Sequence, residues 1–538
     1  MKQTKPKKRT KVLAVLGLSF MLLWAGNPVS AQTRPITGTV RDAQGPMAGV
    51  TVMVQGTTTG VSTDSEGRYS VKAPAGSTLE FSFVGYTDVK MEVGDRQTID
   101  VVMREAATDL DEVVVVGYGT VRKRDLTGAI QSVKNEDLVK TPTSNVMEAL
   151  AGRVAGLSIS VSDGRATSGV NMTLRGSRSL SGSNTPYIII DGVPGQYNDL
   201  NPNDVESIEV LKDASSTAIY GSAGANGVII ITTKSGNKNG KVTVNFDAYR
   251  GVNGYLQFPE VRTGEEYIKL RREAHRTAGT WNPGDSDAIL FSNAEWEAVQ
   301  NNQWIDWLDL GTRNGVLQNY SISASGGTEK TRGYLSLSYY EREGFLPGDE
   351  LTRYGLKTTV DHQIRPWASI GVNLVASYTK SSERNGRYFT RVFTTLPLGT
   401  PFLEDGTINP YPLAGNTGTI SPIADQNPVQ FVNDRRQLAF NPTAYLEIKP
   451  LKGLSFKTML SAYLSTPRTG TYNGRTSMSG TTRTSAGINS NNIYNYKWEN
   501  ILNYNFTVNQ DHNFAITGVT SWTKDRKETY GMTGYNID

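Results

Sequence analysis

The 538-residue chain contains no cysteine. That excludes a disulfide scaffold, a thiolate metal site, a cysteine nucleophile and a lipid-modified N-terminal cysteine. Histidine is almost as scarce: His275, His362 and His512 lie far apart, and none has a recognisable ligand spacing. A histidine-based zinc site or catalytic triad is therefore not expected. Long apolar runs are also missing. Beyond residue 31 no stretch of 18 or more apolar residues occurs, so no transmembrane helix is expected there. Even the net charge of +4 is local, because Lys2, Lys5, Lys7, Lys8, Arg9 and Lys11 crowd the first eleven positions. Without those six, 49 basic residues face 51 acidic ones. The global electrostatic footprint of a nucleic-acid binder disappears with them.

What is present begins with a leader. The charged start is followed by an apolar run over 12–24 and then Pro28, Val29, Ser30 and Ala31. This order reads as a secretory signal peptide over 1–31, and thirteen apolar residues are too few to span a bilayer. The remainder is rich in Gly, Ser, Thr, Asn and Tyr, with short alternating runs. The fold class is accordingly mainly β.

Three blocks differ in texture. In 35–104, β-branched runs alternate with turn signals such as Asp64-Ser65-Glu66-Gly67. Val50, Val52 and Val54 share one face, as do Leu79, Phe81 and Phe83, which suits an antiparallel sandwich of about seven strands. The second block, 111–236, opens with Asp111 and Glu112, then Val113, Val114, Val115 and Val116. This strong strand former suits either an ordinary buried strand or an edge that pairs with a partner by β-augmentation. A short helix is expected over 144–152, capped by Thr143 or Ser144, and another over 213–220. Glycines punctuate short strands, ending in Gly221, Gly224 and Gly227 before the run 228–231. They lack the Gly-Lys-Ser/Thr step of a phosphate loop and the dinucleotide spacing. Asp191 and Asp213 have no partner at a spacing that would make a catalytic pair.

In the third block, 241–538, alternation is longest. Val244, Phe246 and Ala248 alternate with polar residues, as do Leu335, Leu337 and Tyr339, and the even positions from Ile370 to Tyr378. Further runs fall at 438–448, 454–464, 493–508 and 512–522, and the longest polar insertion is 380–437. Strands of about ten residues, apolar outside and polar inside, with long loops on one side, are the pattern of a transmembrane β-barrel. A large soluble β protein is the other reading, although no blade-length repeat is present.

Several segments resemble one family. They are LDEVVVVGYG over 110–119, ALAGRVAGLSI from Ala149, NMTLRGSRSLSGSNTPYIIIDGVPG from Asn171 and NPNDVESIEVLKDASSTAIYGSAGANGVIIITTKSG from Asn201. The chain resembles a TonB-dependent outer-membrane transporter of the SusC/RagA type, known from the Bacteroidota. The resemblance implies a carboxypeptidase-regulatory-like β-sandwich at 35–104, a TonB-box segment at 109–119, a mixed α/β plug at 120–236 and the start of a transmembrane barrel at 241–538. It implies active import of a nutrient, an oligosaccharide more often than a peptide, and neither an enzyme activity nor a cofactor. It also implies TonB with the ExbB–ExbD complex, a SusD-like surface lipoprotein and outer-membrane lipid as partners, and no nucleic acid. Asp111, Glu112 and Val113 to Val116 would then pair with TonB. Arg175, Gly176, Asp191, Gly192, Lys212, Asp213, Tyr220, Gly221, Gly224 and Gly227 would be structural or gating residues of the plug. A non-transporting surface protein that binds glycan or peptide is the alternative. Such barrels have about 22 strands, whereas 241–538 has room for about ten. The closing residues 532–538, MTGYNID, do not form an aromatic-terminated last strand. The chain is thus expected to be a fragment or truncated product that does not transport alone.

Overall fold

A computed structural model describes residues 33–537 apart from 58, 84–85, 105–112, 117–118, 123–128, 144, 162–163, 238–239, 256, 480–482 and 510–511. The leader 1–31, Asp111, Glu112 and Ser144 lie outside the described residues. The chain divides into two compact units, the first within 1–113 and the second mainly 125–538.

The first unit carries seven strands: β1 (Thr33–Arg41), β2 (Thr51–Val54), β3 (Gly60–Ser62), β4 (Arg68–Pro74), β5 (Thr78–Ser82), β6 (Val89–Glu92) and β7 (Val101–Val102). They form a sheet of order β4-β1-β7 and one of order β3-β2-β5-β6. Between them lie Ile36, Val52, Val54, Val71, Leu79 and Phe81, all buried. The alternation in sequence put these side chains on inner faces. One pairing departs from the expected antiparallel sandwich: β7 lies parallel to β1. Side chains hold it there. Asp100 Oδ1 accepts from the Thr39 amide and hydroxyl, each at 2.8 Å, and Tyr69 Oη donates to the Ile99 carbonyl at 2.8 Å. Gly38 permits the approach, since a Cβ there would lie 1.9 Å from the Ile99 oxygen.

The valine run forms β8 (Val113–Val116), in a two-stranded sheet with β9 (Gly119–Arg122).

The plug follows with β10 (Ile130–Lys134), α1 (Asn135–Leu138), α2 (Val146–Ala149), β11 (Leu157–Val161), β12 (Val170–Leu174), β13 (Tyr187–Ile190), β14 (Val193–Pro194), β15 (Val205–Leu211), α3 (Ala214–Thr217) and β16 (Val228–Thr233). Its main sheet has the order β10-β15-β16-β13-β14, with β13 and β16 parallel. Val228 to Ile231 are all buried. A continuous apolar run is what a strand covered on both faces requires. Both expected helices are shorter than the sequence suggests. Asn145, not Thr143, caps α2 by accepting the Met147 amide at 2.9 Å. The second helix gives way after Thr217 to 3-10 turns, broken where Gly221 takes φ 56°.

Among the described residues, the rest is a wall of nine antiparallel strands: β17 (Thr243–Asn253), β18 (Gly315–Gly327), β19 (Thr331–Glu343), β20 (Glu350–Arg365), β21 (Ala368–Ser382), β22 (Phe431–Leu451), β23 (Leu454–Asn473), β24 (Ser485–Val508) and β25 (His512–Tyr535). Each pairs with its sequence neighbour, and among the described residues no pairing joins β25 to β17. The register lines up an outer row through Phe246, Ile322, Leu337, Leu356, Ala376, Phe440 and Leu464. One residue away runs an inner row of Ser321, Ser338, Gly355, Ser377, Ala439 and Ser465. Tyr320, Tyr339, Tyr354 and Tyr378 pair in turn along a third row, with neighbouring ring centroids 5.3–6.5 Å apart. An apolar outer band edged by aromatic rings is the surface a bilayer demands.

The strands run from 11 to 24 residues, longer than the expected ten. Their short-turn ends fall where the alternation predicted at Leu454, Val508 and His512, while β22 runs past the expected end at Ile448 to Leu451, through an irregularity in its register with β23. The excess lies at the opposite end, toward the long connections 254–314 and 383–430. There α4 (Gly264–Thr277), α5 (Asn293–Gln300), α6 (Trp307–Gly311) and α7 (Tyr388–Thr394) pack the loops together. Trp307 Nε1 donates to the Leu396 carbonyl at 2.9 Å, and Tyr388 Oη to the Trp307 carbonyl at 3.0 Å.

In the first unit, Phe81 is fully buried with its ring edge-on to Tyr69 at 5.4 Å. Phe81→Ala is expected to cost this unit about 3–5 kcal/mol, read as faster amide exchange over 33–104 while wall strands keep their protection.

Candidate functional site

The inner row of small residues lets the plug come close to the wall, and polar groups line the seam. Three plug carboxylates meet it. Asp191 Oδ2 accepts from Asn373 Nδ2 of β21 at 2.5 Å, and its two oxygens also accept from the Thr233 amide at 2.8 Å and hydroxyl at 2.6 Å. Asp199 accepts from Ser377 Oγ at 2.7 Å and Tyr463 Oη at 3.0 Å. Asp204 Oδ1 accepts from Tyr334 Oη at 2.8 Å. The wall answers with cations: Arg353 donates to the Asn198 carbonyl, and Lys357, buried, donates to Thr359 Oγ1 at 2.8 Å and Asn373 Oδ1 at 3.2 Å. Unpaired charge would be costly here, so each group is held by several partners.

Burial, the dominant influence, pushes the Asp199 carboxyl above its ordinary 3.8. The Ser377 and Tyr463 hydrogen bonds and the Arg353 charge only partly offset it. Asp204 is raised for the same reason, against hydrogen bonds from Ser336 and Tyr334.

On the long-loop side of this seam lies a cavity of about 360 Å³. The plug contributes Asn145, Glu148, Gln196, Asn198 and the segment 166–169, and the wall adds Arg342, Arg353, Arg435, Gln437, Tyr463 and Asn491. The lining is mostly amide, hydroxyl and charge, with donors and acceptors intermixed.

The plug residues singled out in sequence fall into three places. Arg175, Lys212 and Asp213 come together: Arg175 Nη1 binds Asp213 Oδ1 at 2.7 Å, Lys212 Nζ donates to Gln131 Oε1 at 2.8 Å, and Asp213 Oδ2 accepts the Ala129 amide. The Ala129 amide and then Arg175 hold the Asp213 carboxyl below its ordinary range. This cluster pins the start of β10 to the end of β15. Asp191 and Gly192 form the turn after β13, with φ 49° and 88°, and Arg175 and Gly176 close β12 in the same left-handed region. Gly227 must be glycine on two counts: φ is 89°, and a Cβ would lie 2.3 Å from Leu174 Cδ2. Tyr220 stacks edge-on with Tyr187 at 6.2 Å, between Gly221 and the start of β13. Gly224 packs against the Thr217 carbonyl. Val113 to Val116 form β8, while Asp111 and Glu112 lie outside the described residues.

Comparisons with known proteins bear on the family of the chain. A TonB-dependent receptor plug domain matches residues 122–228, and a CarboxypepD_reg-like domain matches 36–115. TonB-dependent receptor P26 of Formosa agariphila is 31% identical over 518 residues, covering 94% of this chain and 51% of the relative. The chain belongs to the SusC-type TonB-dependent receptors. TonB-dependent receptor SusC of Bacteroides thetaiotaomicron is 35% identical over 359 residues, which cover 65% of this chain and 34% of the relative. In fold the chain is similar to the RagAB peptide importer in its open-open state, with TM-score 0.69 at 24% identity, covering 79% of this chain and 50% of that one. The chain spans about half the length of the curated relatives it matches. SusC-type receptors are outer-membrane proteins, and the aromatic-edged outer band suits that location.

In this receptor chain, sequence reasoning did not single out Asp199, Asp204, Arg353, Lys357 or Tyr463. Each occurs alone in a polar or alternating run. The one available signal was Lys357 and Arg353 at inward positions of β20, where a lumen-facing cation has to meet something.

A carboxyl raised in the docked plug holds its proton more firmly there than when freed. The stabilisation of docking from Asp199 and Asp204 is therefore fully present below 3.8 and is lost as pH rises through their raised values. Thermal release of the plug is expected at lower temperature at neutral pH than at pH 4. Asp199→Asn with Asp204→Asn should flatten that dependence, measured by protease accessibility of the plug.

Proposed function

We propose that this receptor imports a nutrient across the outer membrane, powered by TonB with the ExbB–ExbD complex. The observation that carries the reading is the polar cavity between plug and wall, on the loop side of a seam that hydrogen bonds close. A substrate entering from the long-loop face meets that cavity first, and the plug blocks its passage to the short-turn face. Amides and hydroxyls from Asn145, Gln196, Asn198, Gln437, Asn491 and Tyr463 are suited to an oligosaccharide, which presents hydroxyls in every direction. A SusD-like surface lipoprotein acts as the lid over the loops. The protein performs no catalysis.

Val113 to Val116 serve as the strand that TonB captures. Main-chain hydrogen bonds supply such pairing, and β8 is already an extended strand of four residues. A pull transmitted through β8 reaches the plug, whose contacts with the wall are hydrogen bonds that break and re-form without a covalent step.

The test uses the natural gene product in its own cells. Deleting 111–116, or introducing Val115→Pro to remove a strand amide, should leave surface binding of oligosaccharide unchanged and reduce uptake to the level of cells lacking TonB. Unchanged uptake would refute the TonB reading and favour a protein that binds glycan at the surface without transporting it.

A further inference from the structure

One contact ties the plug to the packed outer loops rather than to the strands. In the plug segment 164–169, residues 166–169 line the cavity on one side. On its other side the Ala166 amide donates to Asp349 Oδ2 at 2.7 Å. Asp349 sits in the tight connection between β19 and β20 and is 0% exposed. Neighbouring residues are shaped around this bond. A Cβ at Gly344 would lie 2.2 Å from the Asp349 carboxylate, and one at Gly164 would lie 2.4 Å from the Phe345 ring.

The connection is in turn fastened to the loops. Phe345 and Leu346 are buried with Trp307, Tyr388, Val392, Ile423 and Met478. The Arg384 guanidinium lies against Gly348, with Nε donating to the Pro347 carbonyl at 2.9 Å and Nη1 to the Asp425 carbonyl at 3.3 Å. Asp425 continues the chain of bonds, accepting the Met478 amide at 2.7 Å and Asn385 Nδ2 at 2.8 Å. Four separate connections thus converge beside a single plug amide.

We propose that Asp349 is a positioning residue that latches plug segment 164–169 to the outer loops, so that the arrangement of the loops sets how firmly the plug is held. The seam carboxylates bind the plug to rigid strands and carry no information about the loops. The Asp349 bond does, because its carboxylate rides on a six-residue connection whose place is set by loop packing. A change in the loops on substrate capture moves Asp349 away from Ala166. The plug loses this hold while the seam stays closed until it is pulled. The idea rests on the import reading for its purpose, but the latch itself is a property of the resting protein.

Two measurements decide it, both in the natural gene product, in which residues 1–538 hold no native cysteine to interfere. The first needs no transport. Thr167→Cys is labelled on intact cells lacking TonB with a membrane-impermeant maleimide. Asp349→Ala should raise the labelling rate about tenfold or more, the range set by loss of a hydrogen bond to a charged group. Asp349→Asn, which keeps an acceptor, should fall between. Rates equal to the parent for both variants, with the heat stability of the wall unchanged, would overturn the proposal. The second measurement oxidises Gly164→Cys with Phe345→Cys to lock the segment. Uptake should stop and return on reduction. Undiminished uptake through the oxidised pair would equally overturn it. If the unsubstituted parent does not transport at all, the import reading fails, and the labelling experiment still decides the latch.

Discussion

A backbone inside hydrocarbon has no water to bond to, so a chain that crosses as strands must pair every amide and carbonyl with a neighbour. The rest of this structure follows from that requirement. Pairing β17 to β25 in unbroken sequence order forces a period of two on the side chains. The row from Phe246 to Leu464 then has to be apolar, and the row from Ser321 to Ser465 is free to be polar and small. Smallness admits the plug, and polarity gives it partners. The same pairing rule sends long connections to one end and tight turns to the other, which produces a loop face and a turn face.

Holding a plug inside such a wall poses a second problem. Apolar packing strong enough to keep it there would also prevent its release. The seam is made instead of hydrogen bonds from Asn373, Ser377, Tyr334 and Tyr463 to Asp191, Asp199 and Asp204. Each bond exchanges for one to water at modest net cost. The apolar core of the plug is largely its own, built around Val146, Leu150, Ile208, Ile229 and Ile231, with Val375 the one wall residue among its buried members in the described residues. The plug can therefore remain folded while its attachment changes. In the import reading, that separation between internal packing and external bonding is what lets a pulling partner act.

Different parts of this organisation were legible to different degrees. The sandwich was readable because Val52, Val54, Leu79 and Phe81 alternate with polar residues over short strands. The turn-side strand ends at Leu454, Val508 and His512 were readable because lipid enforces alternation up to the turn, whereas the end of β22 at Leu451 was not, because its register with β23 slips after Ile448. The loop-side extensions of β22 to β25 were not, since beyond the bilayer water faces both sides of the strand and the pattern lapses. The helix after Asp213 was overestimated because Gly221, needed in a left-handed conformation, interrupts it. The parallel placement of β7 depends on Asp100 reaching Thr39, and no local propensity signals such a bond.

The sequence by itself determined the class of the protein: a β-sandwich, a glycine-punctuated plug and a wall with a lipid-facing period of two. Each is a local pattern, imposed by covalent spacing and by the solvent each segment must face. Only the tertiary structure decided which polar groups meet. Asp199 with Tyr463, Asp204 with Tyr334, and Ala166 with Asp349 are separated by 264, 130 and 183 residues. A hydrogen bond depends on positions within a few tenths of an ångström. Those positions are set by strand register and loop packing along the whole chain, so no segment read alone contains them.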